Sequence, residues 1–394
     1  MTDTRTPPTT ARVHEVDALR GFALAGILVA NIGFLADPAH TLEIAKSAPD
    51  GPVAFVVTAL FLTKFYVIFS FLFGYSFTLQ MRAADREGAD VGARTLRRCL
   101  ALIALGVVHG LLFWVGDILT LYGALGLILM ALRNIRPRTA VITGSVIVAV
   151  LTVVWSLLAL LTTLDPAASQ AAVVDPAAGA RALALATGGP LDFLRLQLEL
   201  YPTLAGSVWL FQGPTAMAMF LFGLAAGKSR LLEEPERWSR LLPRVQWLGF
   251  GIGVPAGVFY AWTAGAPGAL ESAGIALNTV TSLALAAAYV ATLLRAVRRF
   301  PAVGRALAPA GRAAASNYIG QSVLACLVFT GYGLALAGSL PPIAVMGIAA
   351  AVYTLLLWLS ARWLRTHRHG PVEYVLRRVT NGAPPAPRTP GATR

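Results

Sequence analysis

Charge is scarce in this sequence. Only 13% of its 394 residues are Asp, Glu, Lys or Arg, against roughly 25% in an average soluble domain, which is too few to coat a water-facing surface. Cysteine is scarcer: Cys99 and Cys326 are the only two, which excludes a disulfide framework. Both fall in or beside apolar runs and read as small buried hydrophobes. No residues carry a metal-ligand spacing, and there is no phosphate-binding Walker loop, dinucleotide fingerprint, HExxH or GxSxG. The apolar runs show no period-2 alternation, which excludes a membrane barrel.

What the chain has in quantity is apolar sequence: 56% hydrophobic residues and a mean hydropathy of +0.67. These residues fall in runs of about 20, the length of helix that crosses a hydrocarbon core of about 30 Å. Backbone groups in lipid must bond within their own segment, so the runs predict helices. The expected class is an all-α polytopic membrane protein. Ten spans are expected, at 16–36, 53–80, 97–114, 117–133, 139–163, 206–227, 244–264, 270–294, 313–338 and 341–362. The first reads as a retained span and not as a cleaved signal peptide. Residues 1–12 and the Pro-rich tail 381–394 read as disordered, leaving 13–380 as one membrane domain.

The connections set the orientation. All but four of the 32 Lys and Arg lie in the two terminal segments or the even-numbered connections. The exceptions are Lys46, Lys64, Arg181 and Arg195. Positive residues stay on the cytoplasmic side, so both ends are expected inside and the segment 164–205 outside, with amphipathic stretches that could lie over the bundle. This asymmetry accounts for the net charge of +13 without a nucleic-acid partner.

Ionisable groups inside spans are costly and mark candidate sites. Arg20 and Asn31 are eleven residues apart in the first span, about 20° out of phase and roughly 16 Å apart in depth; anchor and interhelical glue are the plainer readings. Lys64 falls near the middle of the second expected span, where a carboxylate partner or a polar cavity is required. His109 and Asp117 flank a tight turn, Phe113-Trp114-Val115-Gly116, expected toward the outer surface. A carboxylate that holds a histidine in one tautomer makes a general base or an acyl-accepting nucleophile; the alternative is a membrane-edge histidine bonded to a neighbouring helix. Gln212, Thr215, Asn317 and Gln321 are uncharged polar groups within spans. Asn317 and Gln321 share a helix face, and interhelical hydrogen bonding explains most such residues.

These segments together resemble a known family. Asp17-Ala-Leu-Arg20-Gly21 with Asn31, Lys64-Phe with Leu72-Phe73-Gly74, His109-Gly110 with Gly116-Asp117-Ile118-Leu119 and Tyr122, Gly213-Pro214 with Met219 and Gly223, Gly311-Arg312 with Ser316-Asn317-Tyr318 and Gln321, and Gly370-Pro371 with Glu373 resemble domain of unknown function 418, the YeiB-like family, from about residue 12 to 380. The first span is also similar to that of heparan-alpha-glucosaminide N-acetyltransferase, which shares the Arg-Gly pair and the later Asn. More distantly it resembles acyltransferase family 3, which carries a His near the Asn31 position, so this chain departs from that family there.

The resemblance implies transmembrane acyl transfer in a bacterial plasma membrane. Cytosolic acyl-CoA, acetyl-CoA foremost, would donate to a glycan or lipid acceptor on the outer side, with no metal. His109 would then act as base or transient acyl carrier and Asp117 would orient it. Arg20 would meet the donor's phosphates, while Asn31, Lys64, Asn317 and Gln321 would line the path. A transporter or lipid flippase with the same polar cavity is the competing expectation, and a non-catalytic scaffold the third.

Overall fold

The computed structural model describes residues 14–39, 49–164, 176–233, 238–266 and 268–381. Lys46, the N-terminal segment 1–12 and nearly all of the tail 381–394 lie outside them. Among the described residues every regular element is a helix. They run α1 (His14–Ala36), α2 (Gly51–Leu60), α3 (Lys64–Arg86), α4 (Val91–Leu112), α5 (Leu119–Ala131), α6 (Pro137–Leu164), α7 (Pro176–Thr187) and α8 (Pro190–Ser207). A π-turn, Val208–Gln212, joins α8 to α9 (Gly213–Lys228). There follow α10 (Leu242–Thr263), α11 (Ala269–Arg299), α12 (Pro301–Arg312), α13 (Ala314–Phe329), α14 (Pro342–Trp363) and α15 (Pro371–Asn381).

The chain is an all-α polytopic membrane protein. Seven helical stretches are long and apolar enough to cross a membrane, and α5 and α13 are shorter apolar helices. The outer surface agrees. Val150, Val153, Leu157 and Leu160 on α6, Trp247, Leu248 and Ile252 on α10, and Ile343 and Trp358 on α14 are all exposed. Apolar patches of that extent belong against lipid.

Inside, helices approach through small residues, as expected where lipid removes the hydrophobic drive between them. A Cβ on Gly74 would lie 2.2 Å from the Phe220 carbonyl oxygen, and one on Gly223 2.1 Å from that of Phe71, so α3 and α9 touch backbone to backbone. Gly21 and Gly311 do the same between α1 and α12, with Gly311 1.8 Å from the Asp17 carbonyl oxygen on this measure. Four glycines of the quoted motifs are thus contact points between helices.

The structure departs from the expected spans in three places. The second span is broken: Phe61–Thr63 interrupts it, with Thr63 at φ 72°, so Lys64 begins a helix and is not in the middle of one. The span expected at 313–338 stops at Phe329, and a turn follows. Among its described residues the segment expected outside folds as α7 and α8, and α8 continues through the π-turn to make one stretch, Pro190–Lys228. At 1.5 Å per residue that stretch is about 58 Å long, far longer than the core, so its α8 end leans over the bundle. There Phe193 and Leu196 pack with Trp114, Val115, Cys326 and Phe329.

Candidate functional site

The site grows from the α4–α5 hairpin. His109 lies one turn before the end of α4, between Gly106 and Gly110. A Cβ on Gly106 would fall 2.4 Å from Asp117 Oδ2 and 2.3 Å from the Thr120 amide nitrogen, so only glycine lets the start of α5 close on α4 here. The His109 carbonyl accepts from the Phe113 and Trp114 amides at 2.9 and 3.0 Å, which turns the chain sharply. Asp117 then serves two partners. Its Oδ2 accepts from the Thr120 amide at 2.8 Å and the Thr120 hydroxyl at 3.0 Å, an N-terminal capping arrangement for α5. Its Oδ1 lies 2.9 Å from His109 Nδ1.

An ionised Asp117 accepts from Nδ1–H, and in a neutral imidazole that arrangement leaves the lone pair on Nε2. His109 is 1% and Asp117 6% exposed, and His109 Nε2 is buried with no hydrogen-bond partner among the described residues. Buried polar atoms are nearly always paired, so this one stands out. The Tyr318 ring packs 5.1 Å from the imidazole, and its hydroxyl accepts from the Ile118 amide at 3.3 Å. Above the site, Tyr201 of α8 covers Gly110, Cys326 Sγ donates to the Phe113 carbonyl at 3.2 Å, and Phe34 of α1 stacks on Trp114. Asn31, half-buried, lies one turn before Phe34.

Arg98 on α4 bonds Gln80 on α3. From that shared level Lys64 stands about 24 Å along α3 and His109 about 17 Å along α4. The dyad is enclosed within the bundle.

Lys64 belongs to a separate cluster. It is fully buried, and no carboxylate joins it among the described residues. Nζ donates to Asn278 Oδ1 at 3.0 Å and to the Thr58 carbonyl at 3.5 Å, and lies 5.3 Å from the Tyr260 ring centre. Asn278 in turn donates to the Thr63 hydroxyl at 3.1 Å, which holds the helix break. The C-terminal end of α2 meets Nζ through the Thr58 carbonyl, a favourable dipole contact, while the Leu60 carbonyl accepts from the Tyr289 hydroxyl.

Arg20 forms a third group. It bonds Asp17 at 2.9 Å and the Ser76 hydroxyl. Asn317 turns out to be structural: its amide donates to the carbonyls of Ala310 and Ala313 and to Ser360, and its oxygen accepts from Ser360. It pins the α12–α13 corner to α14. Gln321 donates to the Leu24 carbonyl at 3.0 Å, tying α13 to α1. Glu373 from α15 caps the α13 N-terminus, accepting from the Ala315 amide at 2.6 Å and the Ser316 hydroxyl at 2.5 Å.

Of the predicted residues, the structure brings only His109 and Asp117 into direct contact. Sequence reasoning missed Thr120, Tyr318 and Asn278. Asp117-x-x-Thr120 is a readable capping pattern, and Asn278 is a polar residue in an expected span, overlooked because Lys64 was expected to need a carboxylate. Tyr318 gives no signal apart from its place between Asn317 and Gln321. No group of three or more His, Cys, Asp or Glu among the described residues is placed to hold a metal ion.

Comparison with known proteins adds kinship. The model of a family described as "Protein of unknown function (DUF418)" matches residues 226–383. "Uncharacterized protein YxaH" of Bacillus subtilis (strain 168) is 31% identical, with 94% of this chain and 95% of that protein aligned. "Uncharacterized protein YeiB" of Escherichia coli (strain K12) is 26% identical over 93% of this chain and 95% of its own. The "Uncharacterized 39.9 kDa protein in amylase 3'region" of Bacillus acidopullulyticus is also 26% identical, over 94% of each.

Proposed function

The chain belongs to the DUF418 family, and from that premise we propose that it is a membrane-bound acyltransferase of the bacterial plasma membrane. One observation carries the reading. His109 is held by Asp117 in the tautomer that leaves Nε2 basic, and that nitrogen is enclosed without a partner. A general base must keep one nitrogen free to take a proton.

In this reading acyl-CoA is the donor, with acetyl-CoA as the first candidate, and the acceptor is a hydroxyl of a glycan or lipid. His109 Nε2 takes the hydroxyl proton as the oxygen attacks the thioester carbonyl. The C–O bond forms, the C–S bond breaks, and the CoA thiolate leaves to take up the proton from His109. The imidazolium that forms between these steps is stabilised by Asp117. Arg20, near Arg98 at the arginine-rich end, would meet the donor's phosphates, with that end in the cytosol. Asn31, close below the dyad's turn, would line the path.

A second reading rests on a different observation. Discontinuous helices whose broken ends surround a polar residue are a common way to build solute sites in transporters, and α2 and α3 break beside buried Lys64. The two readings separate in one experiment. The purified protein in nanodiscs, given labelled acetyl-CoA, should release CoA or take label, and His109→Ala should remove that signal. No turnover and no label, with Lys64-dependent solute uptake in proteoliposomes, would reject the acyltransferase.

A further inference from the structure

An apolar cavity lies away from the dyad. It runs along one face of α11 from Leu283 to Arg298 and is closed by α3, α9 and α10. Its volume is about 400 Å³. Among the described residues Glu15 and Arg298 are its charged lining residues, and its walls from Leu283 to Leu294 are apolar. Interiors pack without voids of this size, and apolar cavities stay dry. A hydrocarbon is the occupant that restores the missing contacts.

Its shape selects the hydrocarbon. Leu283 to Leu294 spans about 17 Å along the helix, close to the half-thickness of a hydrocarbon core of about 30 Å. An acyl chain, whose carbons pack about 4 Å from such walls, matches the slot in length. Arg298 at one end of the lining is exposed, as are Arg295, Arg299 and Arg244 on the neighbouring turns. That rim suits a phosphate. Neither His109, Asp117 nor Tyr318 lines the cavity. On α3, Ile68 and Phe71 face it, while Ser70 turns toward Tyr122 of α5 at 2.5 Å.

We propose that this slot binds one acyl chain of an anionic phospholipid drawn from the leaflet at the arginine-rich end, with the headgroup phosphate at Arg298. The site is independent of the acyl-transfer reading. The bound lipid braces α10 and α11 against α3 and α9.

The test uses the full-length protein, delipidated in mild detergent and titrated with phosphatidylglycerol, phosphatidylcholine of the same chains, or palmitoyl-CoA. Native mass spectrometry reads the adducts and the melting temperature reads the bracing. Phosphatidylglycerol should bind one to one and raise the Tm. Arg298→Gln should weaken it about fivefold, one arginine's share of attraction to an anionic surface, with little change for phosphatidylcholine. Ala291→Phe should plug the slot. Should that buried change impair folding, Ala287→Phe serves instead, because Ala287 is exposed into the cavity. His109→Ala should bind lipid as the parent does. Undiminished phosphatidylglycerol binding by Ala287→Phe, equal binding of phosphatidylcholine, or tighter binding of palmitoyl-CoA would each overturn the proposal.

Discussion

The dyad and the Lys64 cluster are two answers to the same difficulty, an ionisable side chain inside a membrane bundle. Lys64 is enclosed completely, and its neighbours absorb it: an amide oxygen, a backbone carbonyl at a helix end and an aromatic face. His109 is enclosed almost as well, but only one of its two nitrogens is engaged. Burial is the same in both, so burial does not distinguish them; completeness of bonding does. The deletion cost differs accordingly. Removing a fully bonded group leaves its partners stranded, whereas removing a half-bonded one withdraws a chemical capacity and disturbs less of the fold.

The largest effect should therefore appear at the dyad, and in activity. His109→Ala should lower acyl transfer by roughly 10²–10⁴-fold, the usual worth of a positioned base, with the amount of folded protein near that of the parent. Asp117→Asn keeps the shape but can present its NH₂ to Nδ1, which reverses the tautomer. In a buried triad that change costs up to about 10⁴-fold, and the enclosure of this pair places it nearer that ceiling than an exposed pair would be. The measurement is CoA release in nanodiscs, normalised to monodisperse protein. Activity lost only in step with folded protein would make His109 a packing residue and erase the contrast with Lys64.

At Lys64 the effect should appear in stability and be smaller. Lys64→Met keeps the stem but leaves Asn278 Oδ1 without its donor, a loss of about 1–3 kcal/mol. Had a carboxylate been the partner, a stranded charge would cost about 3–5 kcal/mol. Pairing Lys64→Met with Asn278→Leu removes both halves and should recover most of the loss. A double variant no better than the sum of the single ones would show that Asn278 is not the partner that matters.

These contrasts also show what was readable from sequence. Helical class, membrane character and the arginine asymmetry follow from composition and run length, which are local properties. The His109–Asp117 pair was legible because a hairpin turn of fixed length joins its members. Lys64 was misread because an apolar run looks continuous across Phe61–Thr63; a helix break in lipid needs only that the freed carbonyls find a donor, and here the donor is Lys64 itself. The interhelical hydrogen bonding expected of a residue such as Asn317 is what the structure shows. A polar residue in a span signals a need for partners but not their identity, and its partners come from three separate elements. The enclosure of the dyad was hidden too, since it depends on Gly106 and on the residues of α8 and α13 that close over the turn.

Glu373 extends the comparison to its weakest member, a carboxylate whose bonding is complete and whose role is a helix end. It reaches from α15 to the first turn of α13 and accepts from two amides and the Ser316 hydroxyl. A Cβ on Gly370 would fall 2.2 Å from its Oε2, so Gly370, Glu373 and Ser316 form one device that docks the C-terminal helix. Glu373→Gln keeps one acceptor oxygen but loses the charge that suits a helix N-terminus. The expected cost is about 0.5–2 kcal/mol, as for other lost N-terminal caps, read as a lower Tm. Ser316→Ala should cost no more, because the Ala315 amide still reaches the carboxylate. Turnover per folded molecule should stay at the parental value in both variants, since α15 touches neither His109 nor Asp117. A specific loss of turnover in Glu373→Gln, with Tm unchanged, would move Glu373 from the scaffold to the site.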